Sequence, residues 1–366
     1  MTPPRLRTVR YARAWLAGPT NFVEEDVVLD RADRQVPGTL TRPGAASAPL
    51  PAWVVLHGLT RRGRAHPQLQ RFTRALVQSG AVAIVPEVPE WCDIALAPAL
   101  TVPTIKAAIV GLRQSGWARD APVGVIGFSF GAPHAIAATA HPDLASAVAG
   151  SVGFGAYCSL ERTIRFLMTG VHEWKGQRHR VTPDAYGRWI LGANFLTAVP
   201  EHSGAADVAR ALRSLAALAG DSGIPSLDPQ LDASKSELRA MVAEEHRPLF
   251  DVFAPASDAL PDAVMAAQVA EALIAAARKV DPAGEPAAAL ARVTLPVHVL
   301  HGRHDSVIPF SEGLRLRDAL PANTWSKATI TSLFGHSGEE SLLAALGSAR
   351  ELPNFLLALR GVLRLV

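Results

Sequence analysis

Cysteine is nearly absent from this chain, which has only Cys92 and Cys158 among 366 residues. A framework held by disulfides is therefore excluded, because domains of that kind are short and rich in cysteine. A single pair in a chain of this length is more often two reduced, buried thiols than a disulfide. We expect both thiols to be free and buried.

Long apolar runs are also missing. No segment approaches the 18 uninterrupted apolar residues of a membrane-spanning helix, so we expect no membrane span. Residues 1–19 contain four arginines and scattered apolar residues, without the continuous apolar stretch of a secretory signal. The sequence therefore predicts a cytoplasmic protein, although the mature form of a secreted protein would look the same.

The excess of charge is small. The net charge of +3 comes from 36 basic and 33 acidic residues. This excess is too small and too dispersed to indicate binding to nucleic acid. Hydrophobic residues make up 49% of the chain and charged residues 19%, which is typical of a globular protein with a sizeable core. The length favours one large domain with an insertion, or two domains.

Segments with strand character alternate with helical segments in the first part of the chain. Strands are predicted near Val27–Asp30, Val36–Thr41, Ala52–Leu56, Ala81–Val85, Pro122–Phe128 and Ala147–Gly153, and helices near Gln68–Gln78, Thr104–Gln114 and Ala132–Ala140. This alternation predicts an α/β fold with a mostly parallel sheet flanked by helices on both faces. Ligands of such sheets bind at the carboxyl ends of the strands.

The alternation stops in the middle of the chain. Residues 154–291 have few strand signals and several alanine-rich helical segments, such as Asp262–Lys279. A strand pattern then resumes at Leu295–Leu300. We therefore predict one α/β core, made of residues 1–153 and 292–366, with a helical cap inserted at 154–291. An independent helical domain is the alternative.

The segment 123–131 contains the pattern Gly-x-Ser-x-Gly between a strand and a helix. This order predicts a tight strand-to-helix turn with Ser129 at its tip. The flanking Gly127 and Gly131 remove side chains that would collide in such a turn. We therefore predict that Ser129 is a nucleophile, against the alternative of a glycine-rich turn with an idle serine.

A serine nucleophile needs a histidine base and an acid that orients the histidine. On a turn of this kind the chain order is serine, acid, histidine. Asp305 follows the strand at 295–300, and His336 follows the last strand-like run. We predict that Asp305 is the acid and His336 the base, whereas turn formation and local hydrogen bonding are their alternative roles.

Two backbone amides should stabilise the oxyanion of the reaction. We predict that they belong to Phe130, directly after the nucleophile, and to Leu59, in the loop after the strand at 52–56. His57, in the same loop, is predicted to fix the loop by hydrogen bonds. Phe128, Trp91 and Tyr157 are candidates for the substrate pocket, with ordinary packing as the alternative.

Two further groups of residues suggest ligands less strongly. His298, His301 and His304 are clustered, but residues three apart on a strand point to opposite faces, so we expect no metal site there. Arg61 and Arg62 could attract an acidic substrate. A solvated loop is the interpretation that we favour for these arginines.

These motifs together resemble the α/β-hydrolase superfamily over about residues 27–153 and 293–366. The resemblance rests on His57-Gly58-Leu59, on Gly127 to Gly131, on Asp305 with Pro309 four residues later, and on His336. It is similar in style to dienelactone-hydrolase-like, esterase-like and peptidase-like serine hydrolases. The extended glycine-rich oxyanion motif of the hormone-sensitive-lipase group is absent.

The resemblance implies a serine hydrolase that cleaves a small-molecule ester without a cofactor or metal, which predicts a carboxylesterase. A peptidase or amidase with the same triad is the alternative, and carbon–carbon bond hydrolases and cofactor-free haloperoxidases share these motifs. A binding protein that kept the fold without catalysis is the alternative from another class. Assembly of identical chains stays open.

Overall fold

The computed structural model describes residues 3–333 and 349–366, and within this part of the chain eight strands form one sheet. Two further strands form a separate hairpin. In chain order the strands are Phe22–Arg31 (β1), Arg34–Pro43 (β2), Ala52–Leu56 (β3), Val82–Pro86 (β4), Val123–Phe128 (β5), Val148–Phe154 (β6), Val171–Trp174 (β7), Gln177–Arg180 (β8), Val297–Gly302 (β9) and Ser326–Thr331 (β10).

The strand order in the large sheet is β1-β2-β4-β3-β5-β6-β9-β10. β1 and β2 form an antiparallel hairpin, and β2 is antiparallel to β4. Every other neighbouring pair is parallel. The prediction of a mostly parallel sheet is therefore confirmed. The carboxyl ends of β3, β5 and β9 lie on one edge, where parallel sheets bind ligands.

Helices pack on both faces of this sheet, and further helices form the segment between β6 and β9. In chain order, all of these helices are Pro4–Ala17 (α1), Pro67–Gln78 (α2), Pro89–Cys92 (α3), Thr101–Gln114 (α4), Gly131–Ala138 (α5), Pro142–Ala145 (α6), Leu160–Thr169 (α7), Ala185–Phe195 (α8), Ala206–Ser222 (α9), Asp232–Met241 (α10), Arg247–Phe253 (α11), Ala263–Val280 (α12), Ala287–Leu290 (α13), Phe310–Ala319 (α14) and the C-terminal helix Leu352–Val362. Among the described residues, no helix has the length and apolar character that crossing a membrane requires.

Alternating side chains of the central strands fill two different cores. Trp53 and Val55 of β3 face the cluster under α1, α2 and the C-terminal helix, whereas Val54 and Leu56 face the cluster on the opposite side. All four side chains are fully buried. Burying a side chain of this size stabilises the fold by about 1.5–3 kcal/mol. The sheet that carries the candidate site is therefore packed on both faces.

Residues between β6 and β9 are mainly helical, from α7 to α13. The sequence analysis missed the small antiparallel hairpin β7–β8 within this segment. Each strand has four residues, most of them polar. Lys175 and Gly176, both with positive φ, join the two strands. Such a turn is the usual connection of a two-residue hairpin. The predicted cap boundaries, 154 and 291, stay a prediction.

Candidate functional site

Ser129 occupies the turn between β5 and α5 in a left-handed backbone conformation, with a φ of +52°. This conformation costs a residue with a side chain roughly 1–2 kcal/mol and recurs at functional sites. Two backbone hydrogen bonds hold it. The amide of Ser129 donates to the carbonyl of Phe154 at 2.8 Å, and its carbonyl accepts from the amide of Ala132 at 2.9 Å. The strained turn predicted for this serine is therefore present.

Both glycines of the motif are required by close backbone approach. A Cβ atom at Gly127 would overlap the carbonyl oxygen of Gly131 and lie 2.7 Å from the Cα of Ala132. A Cβ atom at Gly131 would lie 2.5 Å from the carbonyl oxygen of His57. Backbone atoms cannot move aside as a flexible side chain does. The backbones of strand β5, helix α5 and the loop after β3 therefore approach one another closely around Ser129.

The loop after β3 lies directly against Ser129. A Cβ atom at Gly58 would lie 2.9 Å from the Cβ and 3.5 Å from the Oγ of Ser129. Neither the amide of Leu59 nor that of Phe130 donates a hydrogen bond to any residue that the structure describes. An oxyanion hole needs two such donors near the nucleophile. The assignment of these two amides to the oxyanion hole stays a prediction.

His57 fixes this loop, as the sequence predicted. Its Nε2 accepts the amide hydrogen of Val88 at 3.0 Å, so the ring proton is on Nδ1 and is donated to the carbonyl of Gly58 at 2.7 Å. Burial lowers the pKa of His57 to about 4. Both ring nitrogens are occupied and the ring is neutral at pH 7. His57 therefore has no free nitrogen with which to act as a base.

Aromatic rings pack against the residues next to Ser129. The Trp91 ring stands edge-on to both His57 and Phe130, at 5.5 and 5.4 Å between centroids. Its Nε1 donates to the carbonyl of Ala97, and the side chain is fully buried. Trp91 therefore packs beneath the predicted oxyanion loop, and its place in a substrate pocket stays a prediction.

The other two pocket candidates lie on different sides of the sheet. Phe128 stacks on Phe154 at 4.8 Å and meets the edge of Phe72, in the cluster under α2. Tyr157 is buried on the opposite side, 6.5 Å from the ring of Phe130. The structure therefore does not bring Phe128 and Tyr157 into one wall. Both have packing roles, and their contact with substrate stays a prediction.

Asp305 lies in the loop after β9, on the same edge of the sheet as Ser129. Its side chain is buried, and one carboxylate oxygen accepts the amides of Val307 and Ile308 at 2.9 and 2.8 Å. The other oxygen is 3.4 Å from Nε2 of His301, which donates to the carbonyl of Ile308. The carboxylate is thus held rigidly. The predicted base, His336, lies outside the described residues.

His301 is a residue near the site whose position the sequence analysis did not use. It packs against α14, where a Cβ atom at Gly313 would lie 2.5 Å from its Nδ1, whereas His298 packs against Gly361 of the C-terminal helix. The two rings therefore lie on opposite faces, as expected from strand geometry. Among the residues that the structure describes, no group of three or more His, Cys, Asp or Glu side chains could hold a metal ion. The feature of the sequence that could have predicted the contact between His301 and Asp305 is their spacing of four residues.

The two cysteines are free, as predicted. Cys158 is buried, but Cys92 is only half-buried, which corrects the expectation that both are buried. Burial raises the pKa of Cys92 to about 12 and that of Cys158 to about 11. A thiol is nucleophilic only as the thiolate. Neither cysteine is therefore a nucleophile at neutral pH.

The basic loop after Leu59 is joined to helix α9. Arg61 donates from Nε to Asp221 at 3.1 Å and from Nη1 to the carbonyl of Cys92 at 3.0 Å. Arg62 donates to the carbonyl of Asp221 at 3.3 Å. These contacts engage Nε and Nη1 of Arg61 as donors and pair its positive charge with Asp221. The loop is therefore tied to α9 rather than freely solvated, and it offers little to an acidic substrate.

No protein-family model matches the sequence, and no curated protein is significantly similar to it. Solved structures are similar in fold. The acylaminoacyl peptidase of Pyrococcus horikoshii is 10% identical, with a TM-score of 0.51 over 93% of this chain and 42% of its own. Brefeldin A esterase, described as a bacterial homologue of human hormone-sensitive lipase, is 15% identical, with a TM-score of 0.51 over 100% of this chain and 88% of its own.

The present chain thus spans less than half the length of the peptidase. At these identities the similarity concerns the fold alone, and it agrees with the mostly parallel sheet. The chain has the α/β-hydrolase fold.

Proposed function

We propose that this protein is a serine hydrolase that cleaves carboxylic esters through an acyl-enzyme on Ser129. Ser129 attacks the ester carbonyl, His336 takes its proton, and Asp305 orients His336 and stabilises the imidazolium. The amides of Leu59 and Phe130 bind the oxyanion. His336 then protonates the leaving alcohol and activates the water that releases the acid.

The observation that carries this proposal is the backbone of Ser129. Ser129 keeps a φ of +52° in a turn where Cβ atoms at Gly58, Gly127 and Gly131 would each clash with a neighbouring atom. The amide of Phe130, the next residue, and that of Leu59, next to Gly58, have no described acceptor and are free to bind an oxyanion. Strain kept at such a position is typical of a nucleophile.

The position of Asp305 supports the same proposal. The aspartate follows β9, two strands from β5 in the sheet, so both side chains lie at the carboxyl edge. Two amide hydrogen bonds fix one carboxylate oxygen and leave the orientation of the group defined. An acid that orients a histidine must itself be held in place.

We also propose that residues 154–291 are a cap over this edge. Contacts between the helical segment and the loops at the edge support it: the amide of Asp184 donates to the carbonyl of Ser306, and Asn194 bonds the backbone of Ile94 and Leu96. Ile94 has a positive φ of +61°, which is strained for a β-branched residue. The cap thus holds the segment that follows Trp91.

The test is a screen of p-nitrophenyl esters with acyl chains of graded length, alongside the matching p-nitroanilides. We expect ester turnover and little anilide turnover, with ester turnover reduced by at least about 10³-fold in Ser129→Ala. Faster cleavage of anilides would identify an amidase instead. Turnover that persists in Ser129→Ala, or none in the wild type, would contradict the proposal.

A further inference from the structure

Arg188, on helix α8, is a buried arginine without a partner. Its side chain is 4% exposed, and it makes no hydrogen bond or ion pair with any residue that the structure describes. The other two buried arginines do make hydrogen bonds, although Nε and Nη2 of Arg7 also lack an acceptor. Arg7 donates to the carbonyls of Leu363 and Val366, and Arg31 binds Asp33 and Glu90. Arg188 is therefore exceptional among the buried arginines of the described residues.

An unpaired buried charge is costly, because the group loses its hydration and gains no acceptor in return. Burial accordingly lowers the pKa of Arg188 to about 10, and the guanidinium still carries its charge at pH 7. Asp184 interacts with Arg188 through its charge but makes no hydrogen bond to it, and one oxygen of Asp184 accepts from the amide of Tyr186 at 2.9 Å and from the hydroxyl of Ser226. The protein alone therefore does not satisfy this group.

The guanidinium is not sealed off from ligands. Its Nε is fully buried without an acceptor, whereas the two terminal nitrogens keep the small solvent contact that the side chain retains. These terminal nitrogens form the planar fork that binds a carboxylate or phosphate through two parallel hydrogen bonds. The accessible end of Arg188 is thus the end that recognises an oxyanion.

Helix α8, which carries Arg188, begins beside the loop that contains Asp305. The helix begins after Asp184, and the amide of Asp184 donates at 2.9 Å to the carbonyl of Ser306, the residue after Asp305. Arg188 lies one turn further along the same helix.

We propose that Arg188 is the anchor of an anion-binding subsite, which takes a carboxylate or phosphate group of the ligand. For a hydrolase this means a preference for esters that carry such a group, and this extension to substrates rests on the proposed function. The arginines that the sequence singled out, Arg61 and Arg62, are engaged with α9 instead. The anion could be part of the substrate or a free ion, and the two parts of the experiment below distinguish these sources.

The first part measures binding of free anions to the full chain. The melting temperature is followed during titration with succinate and with inorganic phosphate, at constant ionic strength set by NaCl. We expect a saturable rise in the wild type, with an apparent Kd at least about tenfold weaker in Arg188→Met, the effect of losing hydrogen bonds to a charged group. Arg113→Met, at an exposed arginine on α4, is the matched control and should behave as wild type.

The melting temperature without anion is a second readout in the same experiment. Because the guanidinium is unpaired in the free protein, Arg188→Met should not lower the melting temperature, and removal of the buried charge should tend to raise it. A marked fall would show that Arg188 stabilises the free protein, and this would overturn the proposal. An equal anion response in the wild type and in Arg188→Met would overturn it as well.

The second part compares the p-nitrophenyl half-ester of succinic acid with p-nitrophenyl butyrate. We expect the ratio of their kcat/KM values to fall about tenfold or more in Arg188→Met and to stay unchanged in Arg113→Met. An unchanged ratio combined with anion binding in the first part would assign the subsite to a free anion. If neither ester is cleaved while free anions still bind through Arg188, the proposed function fails and the subsite stands.

Discussion

At the scale of single residues, the site depends on backbone atoms more than on side chains. The glycines at 58, 127 and 131 let three backbone segments approach one another within distances that a methyl group would block. The strain at Ser129 is maintained because these segments leave it no other conformation. Small changes at the glycines should therefore be more damaging than their size suggests.

Gly127→Ala tests this dependence. The new Cβ would meet the carbonyl of Gly131, the Cα of Ala132 and the Cβ of Ala135, all on helix α5. We expect a loss of about 1–3 kcal/mol in the free energy of unfolding, together with reduced ester turnover. Urea unfolding and the p-nitrophenyl assay measure these effects.

Gly204→Ala is the control, because a Cβ atom there meets nothing within 4 Å. We expect no loss of stability and a gain of up to about 1 kcal/mol from the reduced entropy of the unfolded chain. If both alanine variants have the same stability and turnover, the close approach at Gly127 does not constrain the turn.

The sequence made some residue positions predictable and others not. Ser129 and Asp305 stand in local patterns that fix their place at strand ends, and the structure puts both at the same edge. The bonds of His57 were expected in kind, but Val88 as a partner was not. The isolation of Arg188 could not be predicted, because a missing partner depends on the packing of segments far apart in the chain.

At the scale of elements, a buried chain of polar groups joins helix α5, which follows Ser129, to the helical segment. The hydroxyl of Tyr157 donates to the carbonyl of Gly284 at 2.9 Å and accepts from Nε2 of His134 at 2.7 Å. His134 lies on α5, and its ring is 4.8 Å from that of Phe130. This chain of hydrogen bonds fixes α5 relative to residues 282–284.

Tyr157→Phe removes both hydrogen bonds and leaves the buried groups of His134 and Gly284 unpaired. We expect it to lower the free energy of unfolding by about 1–3 kcal/mol, because each group loses its partner without regaining water. Urea unfolding at pH 7 is the measurement. Tyr186→Phe is the matched control, since the Tyr186 hydroxyl makes no hydrogen bond to a described residue. Equal stability of the two variants would show that the chain contributes nothing.

Elements with a clear apolar pattern were predicted well, whereas elements that depend on contacts with residues far away in the chain were missed. The bounds of β3 and nearly those of α2 follow from the sequence, because their apolar patterns match burial on the sheet. Helix α1 has little amphipathic pattern. Its place depends on Tyr11 packing against Phe72 and on Arg7 binding the carbonyls near the C-terminus. Contacts of that kind leave no local signal.

At the scale of the whole molecule, several histidines are buried in the neutral form. Burial lowers the pKa of each of them, to about 4 for His57, His172 and His298 and about 3 for His134. Two acids, Asp281 and Glu285, act in the opposite direction, because burial raises their pKa. The histidines outnumber them, so the balance favours folding at neutral pH.

The stability of the protein should therefore fall as the pH decreases from about 6.5 towards 4. In this window the histidines bind protons in the unfolded chain but stay neutral in the folded protein. Because the unfolded state binds more protons, a lower pH favours unfolding. We expect up to about 2 kcal/mol of destabilisation per histidine between pH 7 and pH 5. Urea unfolding at both pH values measures it, and His298→Gln should reduce the difference by about one histidine's share. A stability that is equal or higher at pH 5 would contradict this expectation.

The central claim is that Ser129 is a nucleophile activated by the fold, and covalent labelling tests it most directly. The protein is treated with a fluorophosphonate probe at pH 7.5, and the labelled peptide is identified by mass spectrometry. We expect a single adduct at Ser129 in the wild type, and no labelling in Ser129→Ala or in His336→Ala. A folded wild-type protein that stays unlabelled, or that is labelled at another serine, would contradict the claim.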